Sequence, residues 1–143
     1  MNENARFLVM EVRLMDTLKV QRQANKMYAL SGVKLHFSNH FLKRIGDPRN
    51  YPTIDIDELY DTLVRFYKKH GNHISNLDDQ DKIIISDKRN GIHIPMVAVK
   101  NEKNNFTKLV AKTIVRRGKK EQSLKGGKSD KLYVETRKLA PVN

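Results

Sequence analysis

Apolar residues recur at helical spacing in the first third of the chain and at strand spacing in the last. Residues 5 to about 30 contain no Gly or Pro, and Phe7, Met10, Leu14 and Leu18 fall three and four apart, which is the repeat of one helix face. Val20, Ala24, Met27 and Tyr28 continue it less regularly, so the stretch reads as one long helix or two in succession. Ser31-Gly32 ends it. Val33, Leu35 and Phe37 then alternate with Lys34 and His36, as a strand with one buried face requires. Ser38 suits the N-cap of a brief helix over residues 39 to 45, followed by a loop from Gly46 to Pro52.

A second long helix has a marked start. Asp55 and Glu58 stand at capping-box spacing, and Asp57 and Asp61 add acids near the helix N-terminus. Ile56, Leu59, Leu63 and Phe66 form its apolar stripe, while Lys68, Lys69 and His70 suit the negative end of its dipole, with Gly71 as the expected C-terminal cap. From Lys82 onward the period changes to two. Ile83 to Ile85 predicts a short strand, Asn90-Gly91 a hairpin turn and Ile92 to Lys100 a second strand, in which Pro95 marks an edge or a bulge. Phe106 to Arg117 is the longest expected strand, with Lys108, Val110, Lys112, Ile114 and Arg116 on one face and Leu109, Ala111, Thr113 and Val115 on the other. The second set should pack on the helices, leaving Lys and Arg to line an open sheet surface. Residues 118 to 131 read as a basic loop, and Leu132 to Thr136 as a last short strand.

Composition adds direction to this pattern. The chain has 143 residues, 28 Lys and Arg against 16 Asp and Glu, a net charge of +12 and a pI near 10.0. That length fits one domain, here residues 1–117, with 118–143 as an appended basic segment. The charge is uneven: residues 100 to 143 hold thirteen basic side chains against four acidic ones, whereas residues 53 to 81 are net acidic. A basic segment interrupted by apolar residues at strand spacing makes a folded cationic surface, whose commonest partner is nucleic acid. With no Cys, disulfides, thiolate metal sites and cysteine nucleophiles are excluded. No apolar run reaches the roughly 20 residues of a membrane span, and the first residues lack a signal peptide's pattern. The expected setting is the cytoplasm, without membrane contact.

Most motifs in the chain dissolve on inspection. Gly127-Lys128-Ser129 imitates the end of a phosphate-binding loop, but Gln122 stands where its first glycine belongs. Asp78, Asp79 and Asp81 lack the rest of a calcium loop and read as an exposed turn, and His70 and His73 have no third ligand nearby. No metal site and no cofactor is therefore expected. The segment Ser38-Asn39-His40-Phe41-Leu42-Lys43-Arg44 carries more. On a helix, His40 and Arg44 share one face a turn apart, placing a side chain that titrates near neutrality beside a fixed cation with a fork of donors for phosphate oxygens.

That segment, preceded by the strand Val33 to Phe37 and followed by Arg49 and an acid-capped helix, resembles the part of the RegB-like phage endoribonucleases that bears their essential histidine. These belong with the RelE and YoeB messenger RNA interferases in a wider barnase, colicin and RelE-like group. The similar order of elements covers residues 5 to 117. The resemblance implies an α+β fold, with N-terminal helices packed on one face of a roughly four-stranded antiparallel sheet and RNA cut on the sheet's open face without a metal ion. It implies that His40 is an acid-base residue, that Arg44 contacts phosphate, and, as a weaker match, that Arg49 assists. A second functional histidine of that family falls on Phe66, a departure that leaves the second proton-transfer group unassigned.

The expectation is an endoribonuclease that drives the 2′-hydroxyl of single-stranded RNA, messenger RNA foremost, onto the adjacent phosphate. His40, Arg44 and Arg49 are its catalytic candidates, and Lys108, Lys112, Arg116 and Arg117 its phosphate contacts. Tyr51 and Tyr133 are the aromatic platforms for a base, and the ribosome or a ribosomal protein a further partner. Two other readings use the same surface: a non-catalytic nucleic-acid-binding regulator, and a basic inhibitor of an acidic protein.

Overall fold

The computed structural model describes residues 3–101, 103, 105–117 and 130–134. The first apolar repeat forms one helix, α1 (Glu3–Tyr28), which tightens into a 3-10 turn at Ala29–Ser31. Gly32 then takes the left-handed φ of +70° and donates its N–H to the Ala29 carbonyl at 3.0 Å, a conformation that a side chain would strain. β1 (Val33–Phe37) buries its apolar set and exposes Lys34 and His36. The short helix α2 (Asn39–Arg44) follows, capped by Ser38.

Helix α3 (Ile56–Ser75) starts at the expected capping box but runs past Gly71. Asn76 caps it instead, and Gly71 is buried within the helix, where an added Cβ would stand 3.2 Å from the Tyr67 ring. The extra turn brings Ile74 into the core at 0% exposure, and that burial outweighs the roughly 1 kcal/mol penalty of an internal glycine. The basic residues near position 70 had signalled an earlier stop.

From one edge to the other, the sheet runs β1, β4 (Thr107–Ala111), β3 (Ile92–Lys100), β2 (Lys82–Asp87) and β6 (Asp130–Val134). β2 and β3 form the predicted hairpin. At its turn Gly91 has φ +71°, and a Cβ there would lie 2.2 Å from the Arg117 carbonyl oxygen, so glycine is required. β4 pairs antiparallel with β3, while β1 runs parallel to β4 and β6 runs parallel to β2. The expected α+β class holds, but the roughly four-stranded antiparallel sheet is corrected to a larger mixed one, with an antiparallel centre and parallel edges. Parallel edges are what this chain order allows, because α2, α3 and the hairpin lie between β1 and β4 in sequence and supply a long crossover. The expected last strand thus begins two residues earlier than its apolar residues implied. Residues 118–129, read from sequence as a basic loop, lie outside the described residues.

The single long strand over residues 106 to 117 is corrected. β4 ends at Ala111, residues 112–114 leave the ladder, and a separate β5 (Val115–Arg116) pairs with Ile92 and His93 of β3. Alternation changes phase across the break, since Ile114, expected on the open face, is 1% exposed and joins the core. Pro95 explains the site of the break. It lies inside β3 opposite Ile84, and its carbonyl accepts from Lys112 N–H at 2.9 Å. Because a strand residue directs its nitrogen and carbonyl to the same side, the proline offers no donor where β4 stops.

Buried residues of α1 and α3, among them Val20, Tyr28, Leu63 and Phe66, pack on Leu35, Phe37, Ile85, Ile94 and Leu109 of the sheet. A buried carboxylate fixes α3 to β2: Asp87, at 0% exposure, pairs with Arg65 and accepts from the Thr62 hydroxyl at 2.7 Å and the Arg89 N–H at 3.1 Å. The outer edge of β1 is closed by side-chain amides of α1. Asn25 accepts from Leu35 N–H at 2.6 Å and donates to the Leu35 carbonyl at 2.9 Å, and Gln21 accepts from Phe37 N–H at 2.6 Å. Four helical residues rise about 6 Å and two strand residues about 6.6 Å, so amides one turn apart match alternate strand residues. Among the described residues, no helix is long and apolar enough to cross a membrane.

Replacing Asn25 by Ala should leave the Leu35 N–H and carbonyl without these partners and destabilise the fold by about 1–3 kcal/mol. Asn25→Asp, which puts a second oxygen against the Leu35 carbonyl, should do no better. Urea unfolding of both variants checks this.

Candidate nucleic-acid interface

Strand register decides which cations meet. On the face of the sheet away from the helices, Lys34 of β1 is paired with Lys108 of β4, and Lys108 with Val99 of β3; His36 is paired with Val110, and Val110 with Val97. Two exposed lysines therefore sit directly across from one another, with His36 two residues further along β1 on the same face. Like charges in that relation repel. Toward β2 this face is closed, since Ile84, Ser86 and His93 are 1–2% exposed, with the Ser86 hydroxyl 3.0 Å from His93 Nδ1. The accessible part is the row built on β1, β4 and the C-terminal half of β3.

The His36 imidazole is exposed, yet its pKa is lowered from the ordinary 6.5. Partial loss of water against the sheet is the main cause, with the Lys108 and Lys34 charges adding to it. It is thereby biased toward the neutral, proton-accepting form at physiological pH.

Helix α2 is attached at the end of this row. Ser38 N–H donates to the Ala111 carbonyl at 3.0 Å, and its hydroxyl donates to the Lys112 carbonyl at 2.9 Å while accepting from Phe41 N–H at 3.0 Å. Phe41 stacks on Phe37 with ring centroids 4.3 Å apart, which fixes the helix on the core. His40 is exposed in the first turn, and His36 and His40 flank Ser38 in the chain.

Of the residues singled out in sequence, Lys108 lies on the accessible row and Lys112 is exposed just beyond it. His40 and Arg44 share α2 as expected, but Arg44 and Arg49 converge on Asp47. Arg44 Nη1 is 3.6 Å from its carboxylate, and Arg49 forms a two-pronged pair at 3.1 and 2.9 Å. Both guanidiniums thus already have a carboxylate partner, and Asp47, hydrogen-bonded by Arg49, is held at a pKa of about 2. Tyr51 is 83% exposed beside Asn50, which is buried and binds the Ile114 carbonyl and Arg116 N–H. Phe66 is fully buried core, with His70 packed on its ring. For Tyr133 the structure gives its place in β6, opposite Ser86.

Arg116 is corrected outright. Rather than lining the open face, its guanidinium is turned into the fold, binding Glu58 at 2.7 and 3.2 Å and the carbonyls of Pro52, Thr53 and Asn90 at 2.8 to 3.1 Å. Five acceptors around one fork leave nothing for a phosphate. Arg117 is half-buried, with its Nε buried and its N–H bonded to the Gly91 carbonyl. The expectation for Arg116 assumed that alternation ran unbroken through residues 112–114, and that for Arg117 that the strand's end was open to solvent. Asp79 and Asp81 accept backbone N–H groups of Lys100 and Asp78, as an exposed turn requires. Among the described residues, no group of three or more His, Cys, Asp or Glu is placed to hold a metal ion.

Sequence reasoning left out Lys34 and His36, although their alternation with Val33, Leu35 and Phe37 was visible. The missing fact was that β1 lies beside β4. Comparison of the chain with protein-family models, with curated proteins and with solved structures returns no match.

Arg116→Ala should destabilise the protein by about 2–4 kcal/mol, since it strands Glu58 and three carbonyls. Arg116 holds the Glu58 carboxyl below its usual pKa, so the stability this pair gives is present at neutral pH and fades as pH falls through the lowered value. Lys108→Ala should leave stability nearly unchanged. Thermal unfolding at pH 7 and pH 4 separates the two.

Proposed function

We propose that this chain is a metal-independent endoribonuclease that binds single-stranded RNA along the β1–β4 row and cuts it by attack of a 2′-hydroxyl on the adjacent phosphate. The observation that supports it is the Lys34–Lys108 cross-strand pair beside His36 on an accessible sheet face. A repulsive pair at this position is relieved by a polyanion, and a proton acceptor next to the bound phosphate is what transesterification requires.

The chemistry needs one base, one acid and fixed positive charge. Neutral His36 accepts the 2′-hydroxyl proton as the O2′–P bond forms. Lys34 and Lys108 stabilise the charge gathering on the phosphorane oxygens. The P–O5′ bond breaks with proton donation from His40 across Ser38, leaving a 2′,3′-cyclic phosphate and a 5′-hydroxyl. His40 keeps the acid-base role that the resemblance implies, and His36 takes the role left unassigned there. Arg44 and Arg49 act by placing the α2 loop through Asp47.

The wild-type protein should cut a mixed RNA pool in excess EDTA. His36→Gln and His40→Ala should each slow cutting by about 10²- to 10⁴-fold while binding and its salt dependence persist. End-mapping on cellular RNA, with and without ribosomes, reads both. A gel shift without cleavage by the wild type would leave a non-catalytic regulator, and identical ends from wild type and variants would remove the enzyme reading.

The pH profile carries a sign. With His36 as the base, the rate rises with pH through its pKa, and a lowered pKa puts that limb below pH 6.5. Lys108→Gln removes a nearby positive charge, so the limb should move up toward the ordinary imidazole value, and partway only, because loss of water is the larger cause. Rate measurements from pH 5 to 8 test the direction.

A further inference from the structure

A cavity of about 670 Å³ adjoins the cationic row and wraps toward the outer edge of β1, where Asn25 joins its lining. Its lining includes Lys34, Lys108, Val99, Asn101, Ala29 and Phe106. Phe106 precedes β4 with the same strand parity as Lys108, and its ring is 50% exposed. An exposed aromatic ring and a valine next to two paired lysines offer apolar surface for a flat ligand and cations for that ligand's charged ends. Val99 continues the Lys34–Lys108 row in register, so ring, valine and lysines belong to one continuous surface.

We infer that this cavity is a nucleobase subsite, in which Phe106 stacks on an unstacked base of single-stranded RNA while Lys34 and Lys108 hold its flanking phosphates. The inference rests on the proposed RNA-cleaving function and adds to it a place where the substrate is gripped. Stacking on an aromatic ring tolerates every base, because each has a π-face. It also selects single strands, since a base within a duplex is already stacked on both sides. His36 is two strand residues, about 6.6 Å, from Lys34 on the same face, so the gripped nucleotide lies next to the scissile phosphate. The requirement for unpaired RNA then originates here rather than at the histidines. Tyr51, the platform expected from sequence, lies at the β5 end of the sheet, where its neighbour Asn50 is bonded to Arg116.

The test uses the full chain and a short single-stranded 2′-O-methyl oligonucleotide containing 2-aminopurine, whose blocked hydroxyl permits binding without cleavage and whose fluorescence is quenched by stacking. Wild type and Phe106→Tyr should bind and quench. Phe106→Ala should bind roughly 5- to 150-fold more weakly, without quenching and with the wild-type salt slope. Lys34→Ala and Lys108→Ala should each reduce that slope by about one. Phe106→Leu keeps apolar bulk without a ring, so wild-type affinity and quenching in that variant would overturn the subsite. Undiminished binding by Phe106→Ala, alongside weakened lysine variants, would also overturn it while leaving RNA binding on this face intact. Absence of binding by the wild type itself would withdraw the parent reading, and this one with it.

Discussion

The amide pairing between α1 and the outer edge of β1 is the constraint from which the rest of the accessible face follows. β1 is an edge strand, and an edge strand offers unpaired N–H and carbonyl groups to any passing chain. Asn25 and Gln21 supply the outward partners for Leu35 and Phe37, so the strand is bonded on both sides although the sheet ends there. This fixes the register of β1 as well as its position. A slip of one residue would turn Lys34 and His36 into the core and Leu35 into water, and would abolish both the lysine pair and the imidazole beside it.

Fixed charges in this protein divide between holding the fold and facing solvent. Arg65 and Arg116 are turned toward carboxylates, Asp87 and Glu58, at positions where α3 meets the sheet and the loops. Arg44 and Arg49 share Asp47 at the loop after α2. The exposed lysines of the open face, Lys34 and Lys108, belong to neither group. A planar guanidinium satisfies several oxygens at once and suits internal ties, whereas an ammonium on a flexible stem suits a mobile, hydrated ligand. The count of basic side chains therefore overstates the cations on offer at the surface, because several of them are tied to carboxylates within the fold.

Local signals were legible in the sequence wherever one element decided them. The capping box at Asp55 and Glu58, the Asn90-Gly91 turn, the Ser38 cap and the alternation of β1 all depend on residues within a few positions of each other, and each appears in the structure. Gly71 was misread because the stop signal was local, whereas the reason to continue, burial of Ile74, is tertiary. The phase change after Ala111 was hidden for a similar reason: it depends on Pro95 in the neighbouring strand. At the candidate site, His40 and Lys108 were visible from residue type and spacing, while His36 and Lys34 acquired meaning only when β1 was placed beside β4. Parallel pairing leaves no hairpin signature, so nothing within either strand announced the other.

That same parallel pairing ties the cationic groove to the order of synthesis. Val33 to Phe37 leave the ribosome long before their partners Thr107 to Ala111 exist, and contacts so distant in sequence form only after the intervening chain is available. A growing chain can fold α1 against the β1 edge, yet it holds one lysine of the row and not the other. The cationic row is completed only when the chain has been made as far as β4, so a nascent copy shorter than that carries Lys34 without the lysine that faces it.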